Sequence, residues 1–189
     1  MKRIIISTIL FSILITLHSQ IEIKKNVFLY KDPAIESLET DTIILIHNDP
    51  ELSGVYAKIL SNYGYEVIRF FDLFPPIREY TQEEINTKLL EQSYDVIMEI
   101  DFKSIDERNY NTGSAGAVTK DIAIYSSAEK SYIKKLTLLI TIKENLTSDP
   151  WFVVESTEKG GSTVSTVKNV SRAALSKAIK ALEKNGYLK

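Results

Sequence analysis

The chain has 189 residues with no Cys and two His, and it is 44% hydrophobic and 25% charged. Without Cys there are no disulfides, thiolate zinc sites, iron–sulfur clusters or cysteine nucleophiles. The formal charge of -2 argues against a dominant nucleic-acid role, which needs a basic excess.

Met1-Lys2-Arg3 is a basic start, and Ile4 to Leu17 is apolar except for Ser7, Thr8, Ser12 and Thr16. His18-Ser19-Gln20 follows. This is the layout of a secretory signal peptide over residues 1–19, with the cut after Ser19. The stretch is short for a bilayer span, which needs roughly 20 apolar residues. Cleavage removes Lys2, Arg3 and His18, taking the formal charge from -2 to -4 and leaving His47 as the one histidine. No Cys stands at the cut, so lipid anchoring by the lipoprotein route is excluded. No later run approaches spanning length, so no integral membrane span is expected after cleavage.

Residues 20–41 read as a polar lead-in with one short strand candidate, Asn26 to Tyr30, broken by Asp32-Pro33. Residues 42–189 read as a single α/β domain. Thr42 to His47 is β-branched and apolar, as in a strand buried on both faces. Asp49 caps a helix with Pro50 in its first turn, and Leu52, Val55, Tyr56, Ile59 and Leu60 recur at helical spacing. Gly64 ends that helix as a left-handed cap. Tyr65 to Phe70 returns as a second strand, completing a β-α-β unit.

Phe70-Phe71-Asp72-Leu73-Phe74-Pro75-Pro76-Ile77 reads as an aromatic, proline-stiffened loop. Thr81 and Glu84 have capping-box spacing, and Ile85, Leu89 and Leu90 mark the helix that follows. Tyr94 to Ile100 reads as a third strand. Lys103 to Ala115 is polar and reads as a loop. Ala117–Tyr125 and Tyr132–Ile142 alternate, and 126–130 is expected to join them as a hairpin. Trp151 to Val154 adds a strand, and Lys159 to Thr163 a flexible loop. Val167, Val170, Ala174, Leu175, Ala178, Ile179 and Leu182 stripe a long terminal helix whose other positions are rich in Lys. The expected fold is mixed α/β: a β-α-β-α-β unit, an antiparallel region and a long C-terminal helix, on one mixed sheet.

Residues 42–101, "IILIHNDPELSGVYAKILSNYGYEVIRF…YDVIMEID", resemble a response-regulator receiver domain. His47 and Asn48 stand where receivers carry an acidic pair, and Glu99 where they carry the phospho-accepting Asp. The resemblance therefore implies β-α-β geometry and not phosphotransfer. Most of the chain after residue 19 resembles the small α/β domains of the bacterial envelope, the TolB amino-terminal domain and the CsgG and LpoB class. The matching stretches are "SNYGYEV", "YDVIMEI", "KKLTLLITIKE", "DPWFVVES" and "SRAALSKAIKALEKNGYL". That resemblance implies binding, assembly or scaffolding. Many members are lipoproteins, and the absent Cys is a departure.

Four candidate sites follow. Phe70, Phe71, Leu73 and Phe74 are candidate partner-binding residues, because an exposed aromatic patch marks an interface. Gly160, Gly161, Ser162 and Thr163 are candidate anion binders ahead of a helix, although the P-loop order is not met. His47 ends a strand where open α/β sheets place ligands, with Asn48, Asp49 and Ser53 near it, but no nucleophile elbow is present. Asp95, Glu99 and Asp101 share one strand face, which is too little for a metal centre. No catalytic residue, metal or cofactor is assigned. The expected function is an exported, soluble accessory or binding module of the bacterial cell envelope, periplasmic or secreted. It would hold an envelope protein partner through the aromatic loop and the loops 103–116 and 156–165. The alternative is a secreted or periplasmic hydrolase using His47.

Overall fold

The computed structural model describes residues 20–112, 117–119, 122–124, 128–161 and 165–189. The signal-peptide segment, 1–19, lies outside the described residues. The fold is mixed α+β, built on one mixed seven-stranded sheet with a long C-terminal helix.

The strands are β1 (Gln20–Lys24), β2 (Val27–Lys31), β3 (Thr42–Ile46), β4 (Glu66–Arg69), β5 (Val96–Thr112), β8 (Ala128–Lys143) and β9 (Phe152–Lys159), in the order β1-β2-β9-β8-β5-β3-β4. A separate two-stranded sheet holds β6 (Ala117–Thr119) and β7 (Ile122–Ile124). The helices are α1 (Pro50–Asn62), α2 (Phe70–Leu73), α3 (Gln82–Leu90) and α4 (Val167–Lys184). β3 pairs in parallel with both β4 and β5. All other pairings in the large sheet are antiparallel.

The β-α-β-α-β expectation holds, and so do its caps. Asp49 accepts from the backbone N–H groups of Glu51 and Leu52, with Pro50 opening α1. Gly64 takes φ 101° just past the helix end, a region that L side chains avoid. Thr81 and Glu84 form a reciprocal capping box on α3.

Strand alternation splits the core between the two faces of the sheet. Ile43, Leu45, Val96, Met98 and Ile100 face α1 and α4 in the main core. Ile44 and Ile97 point the other way, into a smaller core closed by Phe74 and Leu89. The α4 stripe packs fully: Ala174, Leu175, Ala178, Ile179 and Leu182 are each 0% exposed. Each large apolar side chain so buried contributes about 1.5–3 kcal/mol.

Four expectations are corrected. The lead-in carries two strands, not one: β1 and β2 form a hairpin whose β2 pairs along β9. Asn26 turns that hairpin at φ 62°, a conformation Asn tolerates better than most residues. Lys103–Thr112 is not a loop but the outer part of β5, paired with β8 out to Thr112↔Ala128. Ladder hydrogen bonds need no apolar side chains, and Lys103, Ser104, Asp106 and Glu107 are exposed there. The hairpin placed at 126–130 is replaced, since β6 pairs with β7 and β8 pairs with β5. Residues 156–159 of the second expected loop likewise belong to β9. Among the described residues no helix is long and apolar enough to cross a membrane.

Candidate functional site

The aromatic segment after β4 folds into α2 and a stiff link to α3. Together they lie on the smaller core, across the sheet from α4. Phe74 is 4% exposed and packs on Phe70 at 4.6 Å and edge-on to Tyr80 at 5.3 Å between ring centroids. Phe70 and Leu73 pack half-buried against the same core, and Phe71 is half-buried. Phe74 thus supports the surface from beneath.

The apolar side chains facing outward on this segment are Ile77 and Leu90, each 83% exposed. Ile77 belongs to the aromatic run that the sequence singles out. Leu90 does not, because it reads as core beside Leu89. Consecutive helical positions point about 100° apart, and on this short helix the pair straddles the edge of the buried face, so Leu90 turns outward. Leu89 takes the core at 4% exposure. A groove of about 440 Å³ runs beside α3 between Phe74, Tyr80, Lys88 and Glu91. A second, of about 230 Å³, opens beside Leu90, Tyr94 and Leu146.

Charged contacts fix the segment. Arg69 and Asp72 form an exposed bidentate pair, and the Lys88 ammonium donates to the Leu73 carbonyl. Arg78 lies over the Tyr80 ring at 4.1 Å and makes a forked contact with Glu84. The Arg78 guanidinium, and after it the Thr81 backbone N–H, hold the Glu84 carboxyl down at about 2, against an ordinary 4.5. A lowered folded-state pKa gives stability that is present above about pH 4.5 and is lost as pH falls towards 2. Carbon-detected NMR titration should therefore show Glu84 still ionised at pH 3, and Arg78→Ala should return its midpoint towards 4.5.

His47 sits at the carboxyl end of β3, 6% exposed. Its Nδ1 lies 2.5 Å from the Ile100 carbonyl oxygen, so Nδ1–H donates. The ring packs edge-on to Tyr56 at 5.0 Å and to Phe102 at 5.5 Å. Nε2 is buried with no hydrogen-bond partner among the described residues, as are the Ser53 and Tyr56 hydroxyl oxygens. Burial pushes the Tyr56 hydroxyl up to about 12, with the Ser171 hydroxyl opposing the shift from short of hydrogen-bonding geometry. Asp49 is the α1 cap. A shallow groove of about 500 Å³ lies outside, between His47, Asn48, Asp49, Asp101 and Phe102. A Ser-His-Asp triad holds the imidazole between a carboxylate and a nucleophile. Here the imidazole Nδ1 is held by a backbone carbonyl, and of the two carboxylates at the groove Asp49 serves the helix.

The acidic strand residues are occupied differently from one another. Asp95 accepts from the N–H groups of Asp41 and Thr42. Glu99 pairs with Lys143 at 2.8 Å. Asp101 lies at the groove beside His47. Among the described residues no group of three His, Cys, Asp or Glu side chains is placed to hold a metal ion.

Gly160 and Gly161 follow β9; Ser162 and Thr163 lie outside the described residues. Gly160 donates from its N–H to the Lys134 carbonyl at 3.0 Å, and the neighbouring Ile133 N–H donates to Ser165. A Cβ on Gly160 would stand 1.7 Å from the Ile133 carbonyl oxygen. The close approach of two backbones accounts for that glycine.

No protein-family model matches this sequence, and no curated protein matches it. Solved structures that it resembles include two PelC dodecamers from Paraburkholderia phytofirmans. One is 10% identical at a TM-score of 0.43, and the other 9% identical at 0.44. Each comparison covers 82% of this chain and 95% of the other. At TM-scores below 0.5 neither fold nor function passes from those proteins to this one.

Proposed function

We propose that this chain is an exported accessory module of the bacterial cell envelope that works through protein–protein contacts. The docking surface is the outer side of the α2–α3 segment, residues 70–92. One observation carries this reading: Ile77 and Leu90 stand 83% exposed on a segment anchored from below by Phe70, Leu73 and Phe74. Large apolar side chains held out on a rigid support, beside grooves and a polar rim, are the ingredients of an interface core. The leader-like residues 1–19 support export. The resemblance of the later stretches to envelope accessory domains supports the class. The placement of His47, held by a carbonyl with Nε2 buried, weighs against the hydrolase alternative.

The test pairs folding with capture. Ile77→Ser with Leu90→Ser should change unfolding free energy by less than about 0.5 kcal/mol, because both side chains already face water. The same variant should bind the partner drawn from envelope extract at least about tenfold more weakly. Unchanged affinity in the folded variant would sink this surface. Phe74→Ser is the wrong probe, since it opens the smaller core.

A further inference from the structure

The two faces of the molecule carry opposite charge. On α4 the exposed positions include Lys168, Arg172, Lys180 and Lys184, whereas the helix's one acidic residue, Glu183, is half-buried and accepts from the Tyr65 hydroxyl. Lys168 is engaged by Glu51. Arg172, Lys180 and Lys184 have no side-chain partner among the described residues. Across the sheet, the α2–α3 segment exposes Glu79, Glu83 and Glu91, none with an ion-pair partner among the described residues. Its cations Arg78 and Lys88 are spent on Glu84 and on the Leu73 carbonyl.

The spacing matches as well. Glu83 and Glu91 are eight positions apart, as are Arg172 and Lys180. At helical rise each pair spans about 12 Å. Ala173, exposed beside Arg172, leaves room for a helix to approach.

We propose that the occupant of the α2–α3 surface is the α4 face of a second copy of this chain. This rests on the reading of residues 70–92 as a docking surface and names its partner. Because the two faces lie on opposite sides of one sheet, the contact is heterologous. Copies add head to tail, closing into a ring or running into a filament according to the rotation between neighbours. Ion pairing supplies register, and Ile77 and Leu90 supply the apolar area.

Sedimentation velocity on the chain beginning at Gln20 tests this. At low ionic strength the wild type should sediment well above monomer mass, and it should fall back towards monomer at ~1 M salt, where the screening length is about 3 Å. Arg172→Glu with Lys180→Glu should give a folded monomer by circular dichroism. Glu83→Lys with Glu91→Lys should do the same. An equimolar mixture of the two reversed chains should recover assembly, since each then offers the charge that the other lacks. A monomeric wild type at low salt overturns the proposal, as does assembly that survives both reversals or a mixture that stays monomeric. So does a monomer that co-sediments with phosphatidylglycerol vesicles through Arg172 and Lys180, because the ridge then serves a lipid surface. If self-association fails while Ile77→Ser with Leu90→Ser still weakens capture of a different envelope protein, the docking surface stands and only the second copy is removed.

Discussion

Phe152→Ala should cost about 3–5 kcal/mol of unfolding free energy in urea. Phe152 opens β9, is 0% exposed, and stands in register between Lys31 of β2 and Ile142 of β8. Its ring meets Tyr187 edge-on at 5.9 Å, so it also ties the sheet to the turn after α4. Truncation removes the transfer free energy of the ring and leaves a cavity on the core face of the sheet, over a strand that the ladder holds fixed on both sides. Against a typical total of about 5–15 kcal/mol, this loss brings the protein close to its unfolding threshold. A cost below ~1 kcal/mol would mean that the ring is not in the core.

The second large effect comes from a methyl group. Gly160→Ala places a Cβ 1.7 Å from the Ile133 carbonyl oxygen and 2.9 Å from the Ser165 Cβ. The first contact is with backbone, which has no rotamer to escape into. Either β8 or the strand end must shift, at a cost near the upper end of the about 1–3 kcal/mol range for overpacking. Gly161→Ala meets nothing within 4 Å and should stay within about 0.5 kcal/mol. Thermal unfolding of the two variants side by side reads the difference directly. Equal stability would remove the close backbone approach from the account of Gly160.

The unit from Thr42 to Ile100 was legible because its chemistry is local. A β-branched run, an Asp-Pro cap, a Gly stop and a capping box each name one element without help from the rest. The outer part of β5 was not legible, because Lys103, Ser104, Asp106 and Glu107 are polar and exposed and look like loop while their backbones pair. β1 was hidden for a related reason: QIEIK has only two apolar positions, and what makes it a strand is the neighbouring β2. At the candidate site, the aromatic run announced a surface, but the sequence did not separate the buried Phe74 from the exposed Ile77. The role of Leu90 depended on which of two adjacent leucines the helix turned inward. The reason for Gly160 lay in a backbone on another strand. Each of these needs a partner distant in sequence, which periodicity does not contain.

The seating of β2 against β9 has a consequence in time. Leu29 lies opposite Val154, and Leu38 forms a bridge with Leu188. β1 and β2, which precede the rest of the sheet in synthesis, therefore have no resting place until β9 exists. Closing so long a loop carries an entropy cost that the local β-α-β unit does not meet. Until the hairpin docks, the outer edge of β9 is open, and newly made copies are most vulnerable to mispairing during that interval.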